Sequence, residues 1–486
     1  MSNSKLNTTL KQLRRHKIED IIHWSTYFSL SQIDYLKSFN MTKQANIFPW
    51  DIDSMLLIKV YIGTSLANPD SLNFISFQKL ILSLSDYDYS KDFISQGRPA
   101  VDIVPIIAAN QFTNQMDNRL LLYRSMFFYK HSSNLLSDLF LEKYGVDVEK
   151  THQILFGIYG LSVAYKNEPS KLYDLISNIR QINQIEEVLK IYTIKIEELE
   201  ELLKSKHQNP FELLHANYYL KQFCFLNIND TIYLVYPHNL LHLITYGTLY
   251  KLTDSSDETR NRFGKEILED YLFHLCELNL FFFRVSKEVN YCVLRNQLKS
   301  SDVIVANDRE CLFIESKSSV IRTSFRNPLF LDDENHYIKI YSENLHKLYK
   351  AMTNHTKGLY NLFGTTFELD NCCGLVVNLE DTHISRAKIF NAFFSIIISK
   401  QGVEISEELR QWAYSHLRVI DLYDFERVIL TDNLSPIPKF FSNKWRDLTY
   451  SFDETETPIN EVVAKNTRQL IIDFGELLFR EYDNIT

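Results

Sequence analysis

Glycine and proline are scarce in this chain, with 12 and 11 residues among 486. That scarcity excludes collagen-like and repeat-rich β architectures, and with them long flexible linkers. The six cysteines (Cys224, Cys276, Cys292, Cys311, Cys372 and Cys373) include no CxxC pair. A zinc ribbon or knuckle lacks its ligand spacing, and reduced core thiols are expected instead. No apolar run approaches the ~20 residues that cross a bilayer; the longest is centred on 393–398. The opening stretch is polar and basic without an apolar core, so no secretory signal is read there. A soluble, cytoplasmic protein with no membrane partner is expected. GxxxxGK[ST], GxGxxG and GxSxG do not occur, which leaves ATPase, dinucleotide-binding and serine-hydrolase readings without support. A basic excess is missing too. Fifty-two Lys and Arg against 61 Asp and Glu give a net charge of −9, so any nucleic-acid site is a local patch.

What is present is ordinary globular composition, 45% hydrophobic and 13% aromatic. It is rich enough for sizeable cores, and a prior of roughly 150 residues per domain gives two to four domains. Residues 1–215 read as successive helices, with apolar positions recurring at three and four, as in Met55, Ile58 and Ile62. Over 182–203 the period is seven: Ile182, Leu189, Ile196 and Leu203, with Ile185, Tyr192 and Leu199 at the second position. That describes either a long helix packed on its own domain or a coiled-coil seam for self-association. Residues 223–236 read as a hairpin around an Asn-Asp turn, followed by a short helix from His238. The polar stretch 253–259 reads as the main linker.

Beyond it the grammar changes. Residues 261–280 form an amphipathic helix with Phe263, Ile267, Leu268, Tyr271, Leu272 and Leu275 on one face. Strands follow over 281–294, 302–306 and 311–314, separated by the turns 296–301 and 307–309. A helix over 340–362, a strand over 374–379, a helix over 390–399 and a strand over 417–420 complete the order. This describes a mixed α/β sheet with helices on its faces. The expected layout is a helical region over 1–215, a hairpin-helix connector over 216–252, an α+β domain over 253–430 and a helical tail over 431–486.

Chemistry concentrates at one point. Asp302 opens one strand and Glu315 closes the next, with Lys317 two residues on and therefore on the same face as Glu315. A hairpin between these strands sets Asp302 alongside. Two carboxylates at adjacent strand ends suit Mg²⁺ or Mn²⁺, which take one or two protein carboxylates and keep several waters. Such a metal lowers the pKa of bound water and offsets charge on a phosphoryl group, and a lysine beside it orients the water or neutralises the developing oxyanion. Glu315-Ser316-Lys317 is the one Asp/Glu-x-Lys in the chain. Downstream, Arg322 and Arg326, with Lys299 upstream, are candidate phosphate contacts. Between 282 and 330 eight basic side chains face five acidic ones.

This region resembles the PD-(D/E)xK nuclease superfamily, the restriction-endonuclease-like fold. Gly264-Lys265-Glu266-Ile267-Leu268-Glu269-Asp270-Tyr271 resembles its first helix. Ser300-Ser301-Asp302-Val303-Ile304-Val305 resembles its Asp-bearing strand, and Cys311 to Ser318 its Glu-x-Lys strand. The resemblance covers about a third of the chain, roughly 262–420. It implies a mixed β-sheet flanked by helices, Asp302 and Glu315 as ligands of Mg²⁺ or Mn²⁺, Lys317 as the catalytic lysine and Glu269 as a supporting acid. The activity implied is endonucleolytic hydrolysis of phosphodiester bonds, in DNA by preference, in bacterial antiphage defence or restriction. The helical region is then regulatory, serving homo-oligomerisation or a protein partner. Ser301 replaces the usual proline, and no glutamine lies between 339 and 362, so Asn344, Lys347, Asn354 and His355 are candidates for the fourth position. The alternatives are a non-catalytic nucleic-acid- or protein-binding scaffold with a degenerate nuclease fold, and a repair or recombination nuclease.

Other candidates are weaker. His238 and His242 have metal spacing without a third ligand, and Cys372 and Cys373 point to opposite faces of a strand. Asp332, Asp333 and Glu334 read as a solvated turn or a second cation site.

Overall fold

A computed structural model describes residues 3–32, 49–63, 69–85, 118–180, 183–215, 218–253, 256–293, 295–319, 333–380, 382, 384–402 and 404–431. Ile182, Arg322, Arg326, Asp332 and the tail beyond 431 lie outside them. The helices Asn3–Leu13, Ile18–Gln32, Pro49–Ile62 and Phe74–Ser85 gather around Pro49–Ile62. In that helix Met55, Leu56, Leu57 and Ile58 are all fully buried, the all-round apolarity of a central helix.

The seven-residue pattern over 182–203 does not form one helix. Two helices, Asn183–Tyr192 and Ile196–Lys206, flank a short strand, β1 (Thr193–Lys195). β1 pairs in parallel with β2 (Phe225–Ile228), which pairs antiparallel with β3 (Thr231–Leu234). Tyr192, Thr193 and Ile194 are aromatic and β-branched, residues that pack well in strands and lose χ1 freedom in helices. The heptad positions are consumed within the chain: Ile185, Leu189 and Tyr192 enter one core, and Leu199 and Leu203 another. No continuous coiled-coil seam remains there. The expected hairpin is present, with Asn229 and Asp230 both at positive φ (50° and 63°), as a two-residue turn that follows strand twist requires.

The second half is built on a five-stranded mixed sheet. Its strands are β4 (Arg284–Lys287), β7 (Val303–Ala306), β8 (Cys311–Lys317), β9 (Cys372–Asn378) and β10 (Leu417–Asp421), in the spatial order β10-β9-β8-β7-β4. β4, β7 and β8 are antiparallel neighbours, whereas β8, β9 and β10 run parallel. β9 is buried along its whole length and β8 up to Lys317, as strands covered on both faces must be. The alternation sorts their side chains. Leu312, Ile314, Cys373, Leu375 and Val377 pack with helix Glu269–Asn279. Cys311, Phe313, Cys372 and Val376 pack with helices Asp333–Thr356 and Arg386–Gln401.

Several boundaries differ from those read in sequence. Residues 290–299 form a separate hairpin, β5 (Asn290–Val293) with β6 (Asn296–Lys299), where a turn was expected over 296–301. The long helix begins at Asp333 and not at 340, so Asp333 and Glu334 are helical, and Glu334 pairs with Lys388 at 2.8 Å. Helices Glu407–His416 and Leu422–Thr431 were not anticipated.

Packing runs across the stretch read as the main linker. Helices Thr248–Thr253 and Asp257–Phe263 occupy most of it, the second capped by Ser256 Oγ, which accepts from Thr259 N at 3.1 Å. Tyr123, Phe128 and Phe140 of the first half share one core with Leu249, Phe263 and the sheet residues. At its centre Arg124, on helix Asn118–Tyr129, donates from Nε and Nη2 to both carboxylate oxygens of Glu426 (2.7 and 2.6 Å). Tyr271 Oη donates to Glu426 Oε1 at 2.7 Å, and Arg124 Nη1 donates to the Tyr246 hydroxyl. Both ions are buried, so removing one strands the other's charge, at a cost of roughly 3–5 kcal/mol. Glu426→Ala is therefore expected to lower chemical-denaturation stability by that amount, and Arg124→Met with Glu426→Leu to recover more than half. A Glu426→Ala loss below about 1 kcal/mol, the scale of a surface pair, would contradict this role.

Candidate active site

The site forms where β7 and β8 meet. Val303 pairs with Ile314, so Asp302, one residue earlier, falls opposite Glu315. Ser316 fixes Asp302: its backbone N–H and Oγ donate to Asp302 Oδ2 at 2.7 and 2.9 Å. Glu315 is 5% exposed and receives two ammonium groups on Oε1, Lys317 Nζ at 2.9 Å and Lys347 Nζ at 3.2 Å. Lys347 comes from helix Asp333–Thr356, which packs on this face of the sheet.

Glu269 approaches from the other layer. It follows a π-helical turn, Gly264–Leu268, and opens helix Glu269–Asn279. The turn lies against the end of β8. A Cβ on Gly264 would stand 2.8 Å from Ser318 Oγ and 3.2 Å from its Cβ, so only glycine permits this approach without a shift. Burial pushes the Glu269 carboxyl up to about 8, and the charges of Asp302, Glu288 and Glu315 add to that against an opposing effect of Lys317. Asp302 is pushed up to about 6 by burial and by Glu315, against the pull of Lys317 and the two Ser316 hydrogen bonds. Burial first, and the neighbouring acids second, thus outweigh what the lysines offset.

Asp302 and Glu315 line a cavity of ≈ 320 Å³. Hairpin β5–β6 supplies one wall with Tyr291 and Lys299, and Lys347 and Lys350 supply the other. Tyr291 fastens the hairpin down: its hydroxyl accepts from Asn354 Nδ2 at 2.9 Å, and its ring stacks on Tyr360 with centroids 4.3 Å apart.

Asp302, Glu315 and Lys317 therefore stand together, and Glu269 lies within their electrostatic reach. Lys299 sits on the cavity rim, paired with Glu288 at 2.7 Å. Arg322 and Arg326 lie outside the described residues. Of the four candidates for the remaining position, Lys347 reaches Glu315. Asn344 donates to Ile340 O, Asn354 to Tyr291, and His355 bonds with Tyr360 O and Phe367 N. Sequence reasoning missed Glu288 and Lys350, which belong to no motif, and Ser316, the unspecified middle position of its own.

Among the described residues, no group of three or more His, Cys, Asp or Glu is arranged to hold a metal ion. This disfavours a caged structural metal, which needs more protein ligands. The donor set instead fits a hard cation held by two carboxylates and water. Asp302 Oδ1 and Glu315 Oε2 accept no hydrogen bond from the described residues, whose bonds fall on Oδ2 and Oε1. His238 Nδ1 stands 3.4 Å from the Tyr159 hydroxyl, and its ring packs against Tyr159 and Tyr236; Cys372 and Cys373 enter different cores. No helix among the described residues is long and apolar enough to cross a membrane.

Comparison with protein-family models, with characterised proteins and with solved structures finds no match to this chain.

The acid cluster carries a stability signature. A carboxyl whose folded pKa lies above its ordinary value of 4.5 stabilises the fold below that value. The contribution is lost as pH rises through the folded pKa. For Glu269 the loss extends to about 8 and for Asp302 to about 6. Metal-free protein should lose stability between pH 5 and 8.5, and Glu269→Gln should flatten the upper part of that decline and melt above the wild type at pH 8.5. Equal slopes for the two proteins in thermal unfolding with EDTA would contradict the placement of Glu269.

Proposed function

We propose that this chain is a metal-dependent phosphodiesterase of the PD-(D/E)xK type, hydrolysing DNA by preference. The observation that carries the reading is the opposition of Asp302 and Glu315 across two antiparallel strands, with Lys317 on the same face and bonded to Glu315 at 2.9 Å. The surrounding architecture supports it. An antiparallel β4–β7–β8 meander follows a helix bearing an acid, and a helix and two parallel strands complete a five-stranded mixed sheet, the order of elements that the resemblance implies.

Mg²⁺ or Mn²⁺ held by Asp302 and Glu315 would supply a bound water of lowered pKa and positive charge against the phosphoryl oxygens. The chain's own residues do the remainder. Ser316 holds Asp302 in one orientation through two hydrogen bonds. Lys317 and Lys347 carry ammonium groups that can turn from Glu315 to a phosphate oxygen, where a preorganised cation stabilises developing charge. Glu269, pushed up to about 8, is largely protonated at neutral pH and can donate a hydrogen bond. Lys299 and Lys350 at the cavity mouth offer charge to the sugar-phosphate backbone. The large helical half fits a regulatory role, and a place in antiphage defence or restriction accords with the resemblance.

Purified protein incubated with plasmid, single-stranded DNA and RNA should cleave DNA with Mg²⁺ or Mn²⁺ and not with EDTA. Glu315→Ala and Lys317→Ala should each lower the rate by ~10²-fold or more. Undiminished cleavage by both variants, or none by the wild type with either metal, would leave only a binding scaffold.

A further inference from the structure

At the rim of the sheet, one residue beside the site is buried with an unmet hydrogen-bonding requirement. Asn378 ends β9, is 2% exposed, and its Oδ1 has no partner among the described residues. A buried acceptor without a donor costs stability, so its presence calls for a reason. Its position supplies one. In the parallel register of β8 and β9, Glu315 pairs with Val376 and Lys317 with Asn378, and Leu379 N donates to Lys317 O at 2.9 Å. Paired residues share a face of the sheet, so Asn378 stands beside Lys317 on the face that also bears Glu315. Across the next gap Asn378 pairs with Asp421, whose side chain carries no N–H. Lys317 has three donors and spends one on Glu315. A side chain with donors to spare and one with an empty acceptor are thus neighbours across one strand gap.

We propose that Asn378 is a positioning residue, whose Oδ1 receives the Lys317 ammonium when a divalent cation claims the Glu315 carboxylate. This rests on the reading of Asp302 and Glu315 as a cation site. An ammonium and a metal ion compete for Glu315. The metal-bound state is favoured when the displaced ammonium finds a buried acceptor beside it, close enough to remain aimed at the site. Asn378 then does for Lys317 what an outer-shell partner does for a metal ligand, an arrangement whose loss costs about 10–100-fold in affinity or activity.

The test uses the full-length protein, its Asn378→Leu and Asn378→Asp variants, and Mn²⁺ titration read by electron paramagnetic resonance without nucleic acid. Leucine removes the acceptor at similar volume, and aspartate keeps it. Asn378→Leu should bind Mn²⁺ ~10-fold more weakly with an unchanged or higher Tm, because the orphaned acceptor is gone. Asn378→Asp should bind at least as tightly as the wild type. In cleavage assays Asn378→Leu should lower kcat by a similar factor with KM nearly unchanged. Wild-type Mn²⁺ affinity in Asn378→Leu, or equal weakening in both variants, would overturn the inference alone. A wild type that binds no Mn²⁺ would overturn the cation site and this inference with it.

Discussion

The antiparallel register that sets Val303 against Ile314 brings two carboxyls to one strand gap, and much of the surrounding structure answers to the cost of that placement. Side chains alternate with period two, so a one-residue slip would send Glu315 and Lys317 to the opposite face. The register is held by burial. Ile304 and Phe313 pack into one core and Val303, Val305, Leu312 and Ile314 into another, so neither strand can shift without exposing apolar surface. Two acids placed in this way repel each other, and two lysines and a serine are spent on holding them.

Positioning such a site needs cover on both layers. Helix Asp333–Thr356 brings Lys347 over one face, and the π-helical turn at Gly264 lets the opposite helix close on the end of β8, carrying Glu269 with it. That helix is in turn pressed against the first half of the chain, where Phe127 and Phe128 contact Tyr271 at centroid distances of 5.0 and 5.3 Å. Glu426 joins Arg124 to Tyr271 beneath them. The helical half is therefore packed against the helix that delivers one of the site's acids, a physical route by which events there can bear on the site.

Much of this was legible in sequence because it is local. β-Branched and aromatic runs marked β7 and β8, the Asn229-Asp230 turn marked the hairpin, and the period of Phe263, Ile267, Tyr271 and Leu275 marked the helix face. The spacing from Asp302 to Lys317 marked the candidate site. The rest depends on contacts that no local pattern encodes. The heptad rhythm over 182–203 persists through β1, since residues on either side of the break still need burial, though in two different cores. β6 is polar and exposed at Asn296, Gln297 and Lys299, so alternation did not reveal it. Lys347 and Glu315 lie 32 residues apart, and Arg124 and Glu426 lie 302 apart. Such partners are chosen by the fold.

The central claim is that Asp302 and Glu315 share a divalent cation. Anomalous diffraction from crystals grown with Mn²⁺ tests it most directly. The account expects a single strong peak within coordination distance of both carboxylates, with Lys317 withdrawn from Glu315. Density showing both lysines still on Glu315, and Mn²⁺ absent from that gap at saturating concentration, would contradict it.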